Sequence, residues 1–591
     1  MKAFTEPLLS LAGFEEMTKT AEKSSGLISV TGCIDAQKSQ MIYAFGGHRK
    51  NKLIVTFGEQ KAKELYDEYS FFDKEVVYYP SKDVLFYQSD IRGNLLTAER
   101  IRALKAIREQ ERVTLVTTFD ALMNTMAPIE KMWENVLTLE QGQLLDLKEI
   151  QAALIRMGYE KEYQVQTMGQ FSVRGGILDV FPLTEENPIR IELWGDEIDT
   201  IRYFDCESQK SIENIDRVSI YPAAEIVLSD EEKAGGIDKL KAEAKRVSDK
   251  LRKQMKTEEA HRVTVMADEL TEEWGELSMY AGMDAFLSYF FDQRVGLLDY
   301  FKPSDSLIFF DELTRCAEQG KLTETEFSES MKQRLSMGYI LPGQMNGLFT
   351  EKEIVAKLEK YSCIALAALD NKANGLHQLG SYGIHCQSVS PYNNSFELLI
   401  KDLKHYKKNG YRVILLSGSR TRAKRLSEDI TDQGITCFYT ENYDHELSQG
   451  QIMVCYGKVR RGFEYPILKF AVITESDIFG AQQKKKKRHR TYEGEKIQSF
   501  TDLSVGDYVV HENHGLGIYR GIEKLEVDKK VKDYIKIEYQ GGSNLYILAT
   551  QLDMIQKYAG KDARKPKLNK LGGQEWTRTK NRVRGAVKQI A

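Results

Sequence analysis

Residues 30–39 have the residue types of a phosphate-binding loop but not its full pattern. They read VTGCIDAQKS, so Lys38 and Ser39 stand where a Walker A loop has the lysine and hydroxyl that reach phosphate and magnesium. Such a loop also needs a second glycine directly before the lysine, because its backbone amides surround the phosphate. Here only the first glycine, Gly32, is present, and Asp35 adds a negative charge. We therefore predict that this chain neither binds nor hydrolyses ATP.

Asp311 and Glu312 resemble the acidic pair of a Walker B strand. They follow the apolar run SLIFF at residues 306–310, which has the composition of a buried strand. An acidic pair without a complete loop cannot position a nucleotide. Together with Gly32, Lys38 and Ser39, the pair is interpreted as a degenerate nucleotide site. The domain that contains it is interpreted as a scaffold that has the fold of an ATPase lobe without its activity.

Histidine and cysteine positions give little support to a metal site. His511 and His514 are three residues apart, but no further His or Cys lies near them, so turn histidines are favoured over metal ligands. The seven cysteines are scattered and none is in C-x-x-C spacing, which argues against a disulfide framework and fits a reducing cytoplasm. No nucleophile–His–Asp set stands out, so we predict no catalytic residue and no cofactor in this chain.

Two arginines and a tryptophan fall in closely spaced strands at residues 169–204. Arg174 and Arg190 could project from one side of such a sheet as fork-shaped donors for a carboxylate-rich partner. Trp194 stands beside a turn that includes Glu197, where complete burial is not expected, and a Trp flanked by Arg is typical of an interface anchor. The alternative is that all three side chains have their partners within the module itself.

In that alternative, Trp194 packs in the core of its own module. The arginines then pair with Glu192 or Asp196, and no partner is needed. The sequence alone leaves both interpretations open.

Residues 522–527, IEKLEV, alternate apolar and charged side chains within a second group of short strands. Alternation places Lys524 and Glu526 on one face and Leu525 on the other. At the edge of a small barrel, such a strand would leave its amides and carbonyls free to add to a strand of a partner. The alternative is that Leu525 fills the barrel core.

Charge is distributed unevenly along the 591 residues. The net charge is −4, yet residues 484–591 have 24 Lys and Arg against 13 Asp and Glu, a net of +11, which leaves −15 on the rest. The basic part could lie against DNA phosphates or could simply be solvated. No apolar run is long enough to span a membrane and the start lacks a signal peptide pattern, so a cytoplasmic protein is expected.

The pattern of apolar runs predicts a multidomain α/β protein. Runs such as LIVTF, VVYY and VTLVT, separated by helix-period segments, predict a mainly parallel sheet in the first part of the chain. A mostly antiparallel module follows, then a long helix that begins with the capping box Ser229–Glu232, and SLIFF is expected to return to the first sheet. The runs CIALAAL, RVILLSGS, QIMVCYG and KFAVITE predict a second α/β unit before the basic segment KKKKRHR.

Two segments carry a family resemblance. Residues 169–204, GQFSVRGGILDVFPLTEENPIRIELWGDEIDTIRYF, resemble the module through which the repair protein UvrB and the transcription-repair coupling factors each dock on UvrA. Residues 506–560, which begin GDYVVHENHGLGIYRGIEKLEV and precede KLGGQEW, resemble the RNA polymerase-interacting, CarD-like domain of the coupling factors. The family usually reads L-Y-V-P-V where this chain has LYILA at 545–549, which puts one edge of the barrel in doubt.

The resemblance implies an organisation for the whole chain. It implies a degenerate helicase-like parallel-sheet domain with an inserted β-rich module, a second α/β domain, and a small SH3/Tudor-like β-barrel followed by a C-terminal helix. The segments predicted in this way are helicase-like 1–137, UvrA-binding 138–225, helicase-like 226–350, α/β 351–482, basic linker 483–499, CarD-like 500–560, and linker with helix 561–591.

The resemblance also implies a function. It implies transcription-coupled nucleotide excision repair: the chain binds the β subunit of stalled RNA polymerase through Lys524, Leu525 and Glu526, and recruits UvrA through Arg174, Arg190, Trp194 and Glu197. The chain would be a monomer with weak double-stranded DNA binding in its basic part. Family proteins continue into an ATP- and magnesium-dependent double-stranded DNA translocase, so this chain is interpreted as the N-terminal part, inactive alone.

Two other interpretations remain open. A UvrB-like damage verifier would have an intact Walker A loop and no polymerase-binding barrel. A CarD-type transcription regulator would act through the barrel and basic tail alone, which leaves the long multidomain stretch before them unexplained.

Overall fold

The computed structural model describes most of the chain. The described residues are 1–45, 50–82, 94–206, 208–276, 283–369, 375–480, 494–496, 503–511, 515–527, 530–548, 555–558 and 568–570. Only the backbone is described at 94, 273, 275–276, 494–496, 524–527, 530–533 and 548. The predicted terminal helix within 561–591, the basic segment KKKKRHR and His514 lie outside the described residues.

The first part of the chain alternates strands and helices. Its elements are α1 (Lys2–Thr5), α2 (Phe14–Lys23), β1 (Gly26–Thr31), α3 (Asp35–Phe45), β2 (Asn51–Thr56), α4 (Glu59–Tyr69), β3 (Val77–Tyr79), α5 (Asn94–Glu109), β4 (Val113–Thr118), α6 (Phe119–Met123) and α7 (Ile129–Glu134). Every residue of β4, VTLVTT, is buried, as expected for a strand covered on both faces of a parallel sheet.

The predicted antiparallel module follows as an insertion. Its elements are β5 (Leu137–Glu140), α8 (Leu147–Arg156), β6 (Glu160–Lys161), β7 (Gln170–Arg174), β8 (Ile177–Val180), β9 (Ile189–Trp194), β10 (Glu197–Phe204), β11 (Ser211–Ile215) and β12 (Arg217–Ile220). One sheet has the order β11-β10-β9-β8-β7-β6 and is antiparallel except at β6–β7, and β5 pairs with β12. Apolar side chains on one face of this sheet form the module's own core.

The chain then returns to the first sheet. The elements are α9 (Asp230–Lys253), α10 (Thr257–Glu276), α11 (Leu287–Phe290), β13 (Ser306–Asp311), α12 (Leu313–Ser336), α13 (Glu351–Leu358), β14 (Ser362–Leu366) and β15 (Gln378–Gly383). The capping box predicted at Ser229 and Glu232 is confirmed. The sheet is parallel, in the order β15-β1-β14-β13-β2-β4-β3, so the predicted return of SLIFF is also confirmed.

The position of the run CIALAAL corrects the sequence analysis. The run was assigned to the second α/β unit, but β14 lies between β1 and β13 in the first sheet. The prediction was wrong because an apolar run of this length does not specify which sheet it joins.

The second α/β unit consists of β16 (Gln387–Ser388), α14 (Phe396–Lys408), β17 (Arg412–Ser417), α15 (Arg420–Asp432), β18 (Phe438–Tyr439), β19 (Ile452–Tyr456), β20 (Phe463–Tyr465), β21 (Phe470–Thr474) and α16 (Glu475–Phe479). Its sheet order is β16-β20-β21-β17-β19-β18. Apolar side chains of this sheet and of the first sheet share one buried cluster, so the two α/β units pack against each other.

A second β-rich region ends the described chain. It comprises β22 (Gly494–Lys496), β23 (Tyr508–His511), β24 (Gly515–Val527), β25 (Lys530–Glu538), β26 (Asn544–Leu548) and β27 (Ile555–Tyr558), all antiparallel in the order β22-β27-β23-β24-β25-β26. Short 3₁₀ turns occur at Glu6–Ser10, Met283–Phe286, Leu297–Tyr300, Pro303–Asp305 and Pro342–Gly347. Within the described ranges, no helix has the length and apolar composition to cross a bilayer.

Candidate docking surfaces and the loop at Lys38

The two arginines of the inserted module meet on a single buried carboxylate. Asp179 on β8 lies directly opposite Arg190 on β9 and opposite Ser172 on β7, two residues before Arg174, so all these side chains share the outer face of the sheet. Arg190 donates Nε to Asp179 Oδ1 at 2.7 Å and Nη2 to Oδ2 at 2.8 Å, and Arg174 donates Nη2 to Oδ2 at 2.8 Å. Asp179 thus fixes both guanidinium groups in place.

Two further contacts hold the Arg190 side chain. Its guanidinium group lies 4.3 Å from the centre of the Phe204 ring and donates to Gln209 Oε1 at 2.8 Å. Side-chain hydrogen bonding to Asp179 raises the pKa of Arg190 above its ordinary value, although burial opposes the shift. Arg174 is 35% exposed and Arg190 is 13% exposed, so Arg174 is the more accessible of the two from the outer face.

Trp194 does not pack in the module's core. It ends β9 beside the turn at Gly195 and is 85% exposed, which rules out the internal alternative for this side chain. The arginine partners of that alternative are corrected too. The acid that binds both arginines is Asp179, whereas Glu192 binds Arg202.

Sequence reasoning missed Asp179, although a signal was present. It is a lone carboxylate within the apolar strand ILDV and is 1% exposed. A buried charge of this kind needs a counter-ion, and the outward-facing arginines of the adjacent strands were the available cations. Glu197, the fourth predicted contact, lies opposite Trp194 across the β9–β10 turn, so these two residues are neighbours.

The strand at residues 522–527 forms the outer part of β24. It pairs with β25 on one side from Ile522 to Val527, whereas β23 pairs only with residues 515–518. Within the described strands, the other edge of 522–527 has no partner, as the strand-addition hypothesis requires. The side chains of Lys524, Leu525 and Glu526 lie outside the described residues.

The loop at Lys38 is filled by the protein's own groups. Lys38 is 1% exposed, and its Nζ lies 2.5 Å from Asp311 Oδ1, 2.9 Å from Glu312 Oε1 and 3.2 Å from Asp35 Oδ1. Burial lowers the pKa of Lys38, but attraction to Asp311 and Glu312 outweighs it and raises the pKa above its ordinary value. The lysine is a charged group whose donors are all used internally.

The amides of this loop are also occupied. Gly32 donates its N–H to the Ala368 carbonyl at 3.3 Å, and Cys33 donates to Ala367 at 3.0 Å. A Cβ at residue 32 would lie 2.1 Å from the Ile384 carbonyl oxygen, and φ is +77° there, so only glycine fits. This glycine permits close backbone packing between the loop and the residue that follows β15, Ile384. Ser39 is buried on α3.

In the second α/β unit, the position that corresponds to the Lys38 loop is also occupied by a group of the protein itself. The N-terminus of α15 follows β17, where amides of a parallel sheet commonly bind anions. Here Glu475 occupies the position: its Oε2 accepts from Gly418 N at 2.6 Å and from Ser417 Oγ at 3.0 Å. An internal carboxylate therefore stands where a phosphate would bind.

Comparison with known domains identifies the two β-rich modules. Residues 137–226 match the UvrB interaction domain, and residues 503–559 match the CarD-like/TRCF RID domain. The class of protein is thus a multidomain α/β body that carries an interaction module at each of two places in the chain.

Comparisons over nearly the whole of this chain find relatives that share one description. The chain is 31% identical over 541 residues to a transcription-repair-coupling factor of Bacillus subtilis, 31% over 576 residues to that of Staphylococcus haemolyticus, and 30% over 593 residues to that of Staphylococcus aureus strain MRSA252. These matches cover 91%, 95% and 98% of this chain but 45%, 48% and 49% of the relatives, so the chain spans about half their length. The resemblance seen in the sequence is confirmed: the chain is a homologue of the transcription-repair coupling factors.

Proposed function

We propose that this chain couples transcription to nucleotide excision repair, as a platform that holds RNA polymerase and UvrA at once. The observation that carries this proposal is the presence, in one chain, of a UvrB interaction domain and a CarD-like/TRCF RID domain. One module supplies a contact to the repair machinery and the other a contact to the transcription machinery. Both partners work on chromosomal DNA, so we place the chain in the cytoplasm.

In this proposal UvrA binds the outer face of strands β7 to β10 and the adjoining β9–β10 turn. Arg174 and Arg190 are held in fixed orientation by Asp179, which lowers the entropy lost when they bind a carboxylate of the partner. Trp194 supplies an exposed aromatic anchor, and aromatic and arginine side chains carry much of the binding free energy in protein interfaces. Glu197 adds a carboxylate beside the anchor.

A single aromatic substitution tests this contact. Trp194→Ala should weaken UvrA binding about thirtyfold, because truncating an anchor of this type costs about 2 kcal/mol or more. Tyr163→Ala is a matched control, since Tyr163 is an equally exposed aromatic of the same module, 84% against 85%. Affinity is measured by isothermal titration with purified UvrA. Equal affinities of the two variants would contradict the contact.

The polymerase contact is proposed at residues 522–527 of β24. We propose that this edge adds to a sheet of the polymerase β subunit, with Leu525 as anchor between Lys524 and Glu526. We also propose that the six strands around it curve into a small SH3/Tudor-like barrel, whose apolar interior includes Tyr519, Ile535 and Ile537.

The α/β body is proposed to be a scaffold without nucleotide or metal. Support comes from the Lys38 ion pairs and from the internally bonded amides of Gly32 and Cys33. We propose that the chain is a monomer whose basic part contacts double-stranded DNA weakly. In the complete protein, ATP-driven translocation on double-stranded DNA, with magnesium, would reside outside this chain.

A binding assay separates this function from its competitors. Gel filtration of the chain with purified UvrA and, separately, with RNA polymerase should give a complex in both cases. A UvrB-like verifier would bind UvrA alone, and a CarD-type regulator would bind polymerase alone. Either single result would overturn the proposed coupling role.

A further inference from the structure

An open cleft lies at the exposed end of the inserted module, on the far side of Trp194 from the arginines. Its volume is about 700 Å³, within the range of clefts that take a ligand or an anchoring side chain. Its lining includes Trp194, the carboxylates of Glu197, Asp199 and Asp216, and the pair Glu140 and Arg217.

The floor of this cleft is fixed by backbone hydrogen bonds. Gly142 N donates to the Ile198 carbonyl at 2.8 Å, and Gln141 N donates to the Asp216 carbonyl at 3.0 Å. The Gln141 side chain donates to the Asp199 carbonyl at 2.8 Å. The cleft is therefore part of the folded module and is not a gap between independent loops.

Apolar and charged groups alternate along its rim. Trp194 pairs across the turn with Glu197, which forms a bridge to Leu144, and Leu144 is 75% exposed. Two exposed apolar side chains thus flank one carboxylate. Soluble proteins seldom expose neighbouring large apolar side chains without an interaction to cover them.

The net charge of the cleft lining is negative. Arg217 is paired with Glu140 at 3.2 Å, so these two residues neutralise each other. Within the described chain, the carboxylates of Glu197, Asp199 and Asp216 have no cation within ion-pair distance. A cation that enters the cleft would meet three carboxylates and the face of an indole ring, which also attracts cations.

We infer that this cleft receives a cationic side chain, arginine or lysine, from the docking surface of UvrA. The inference rests on the proposed function and extends the docking surface beyond the arginine face to a second, acidic part. Trp194 lies between the two parts, and its ring can contact the partner on both. A partner that matches this pattern must present a carboxylate to Arg174 and Arg190 and a cation to the cleft, which fixes its orientation on the module.

Charge variants of the cleft test the inference. Asp199→Asn/Asp216→Asn removes two negative charges with little change of shape, and Asp199→Lys/Asp216→Lys places like charges opposite the partner's cation. Isothermal titration with UvrA should show a loss for the Asn pair and a larger loss, about tenfold or more, for the Lys pair. Both aspartates are exposed, so the variants should melt like the parent protein.

The matched control is Glu149→Lys/Glu162→Lys. It makes the same change in net charge at exposed positions of the same module outside the cleft and should leave UvrA affinity within about twofold. An equal loss in the control and the cleft variant would overturn the inference, since only overall charge would then matter. Unchanged binding by the cleft variants would overturn it while leaving the proposed function intact.

Two other outcomes are distinguishable. Failure of the parent protein to bind UvrA at all would overturn the proposed function together with this inference. If sedimentation shows that the parent self-associates and the Lys pair does not, the cleft binds a second copy of this chain, and the inference is overturned in favour of that occupant.

Discussion

Lys38 lies where a nucleotide-binding lysine would meet phosphate, yet its ammonium group is enclosed by carboxylates. A buried ammonium group is costly to leave unpaired, and Asp311 and Glu312 supply the compensating charge. Phosphates placed at this loop would have to displace those contacts and would meet Asp35 as well. The internal ion pairs and an ATP phosphate therefore compete for one cation.

We expect no binding of Mg-ATP at this site. Isothermal titration of the purified chain with Mg-ATP should show no heat beyond dilution, because the lysine and the Gly32 and Cys33 amides already have partners. A micromolar isotherm that persists in Lys61→Ala but disappears in Lys38→Ala would contradict this prediction. Lys61 is a suitable control because it shares Asp35 with Lys38 but lies on the next helix.

The sequence predicted the disabled loop but not how it is closed. The missing glycine and Asp35 are visible in ten consecutive residues. The carbonyls of Ala367 and Ala368, which accept from the loop amides, lie more than 330 residues away in the chain, and contacts of that separation leave no local pattern. Asp179 differs, because it lies only 11 residues from Arg190 and its place in the apolar strand ILDV is a local signal. What the sequence left open is the strand register that brings Arg190 opposite to it.

At the scale of elements, β24 is a long strand whose two ends have different neighbours in the sheet. Residues 515–518 pair with β23, whereas residues 518–519 and 522–527 pair with β25, with a register shift between Tyr519 and Ile522. Such irregularities bend a strand away from its sheet and terminate pairing. Residues 524–527 of β24 and 530–533 of β25 therefore extend beyond the pairings with β23 and β26 as a two-stranded ribbon.

Leu525→Arg tests whether this ribbon binds RNA polymerase. If Leu525 is the anchor of an added strand, the variant should melt like the parent protein but fail to retain polymerase in a pull-down, because a cation replaces an apolar contact. Asn544→Arg is the control, since it places the same side chain at an exposed position of β26, the edge strand that pairs with β25.

The possible results of this pair of variants separate the alternatives. Loss of the fold in Leu525→Arg would favour burial of Leu525 in the barrel core. Normal polymerase binding by a well-folded Leu525→Arg would refute the contact. Loss of binding in Asn544→Arg as well would show that any added cation on this sheet is harmful.

The sequence predicts which segments form strands and helices better than it predicts which strands pair with each other. Buried strands such as β2, β4 and β13 are apolar on both faces and stand out in the sequence, and the capping box marked the start of α9. The run that became β14 was equally clear as a strand but was assigned to the wrong sheet. Strand pairing is decided by packing over long sequence separations, and hydrophobic periodicity carries no information about it.

At the scale of the whole molecule, the two α/β units are joined by polar as well as apolar contacts. The buried Tyr465 hydroxyl of the second unit contacts the Oε1 atoms of Gln37 and Gln40 on α3, each at 3.2 Å. Arg460 of the second unit pairs with Glu64 on α4 at 2.5 Å. The helix that would carry a nucleotide loop is therefore fixed against the neighbouring unit, which favours a rigid body over one that opens and closes.

Glu68 lies at this junction, and its pKa is higher than that of an ordinary glutamate. It is buried on α4, and burial raises its pKa from 4.5 to about 7, although attraction to Arg460 and Lys61 and an N–H of Arg460 oppose the shift. Asp35 also lies near enough to favour the protonated form. A carboxyl group whose pKa is higher in the folded than in the unfolded state favours folding when protonated.

Glu68→Gln should therefore stabilise the protein in a pH-dependent way. Between pH 4.5 and about 7 the folded parent binds more protons at this group than the unfolded chain, so its stability falls as pH rises and the full cost is reached above pH 7. Glutamine copies the neutral form at every pH, so its advantage should be small near pH 5 and reach at most about 3 kcal/mol at pH 8. Urea unfolding at both pH values measures the difference.

Asp67→Asn, on the exposed side of the same helix, is the control, and its effect on stability should not grow with pH. A Glu68→Gln advantage that is equal at pH 5 and pH 8 would mean that Glu68 is not held protonated at the junction between the two units.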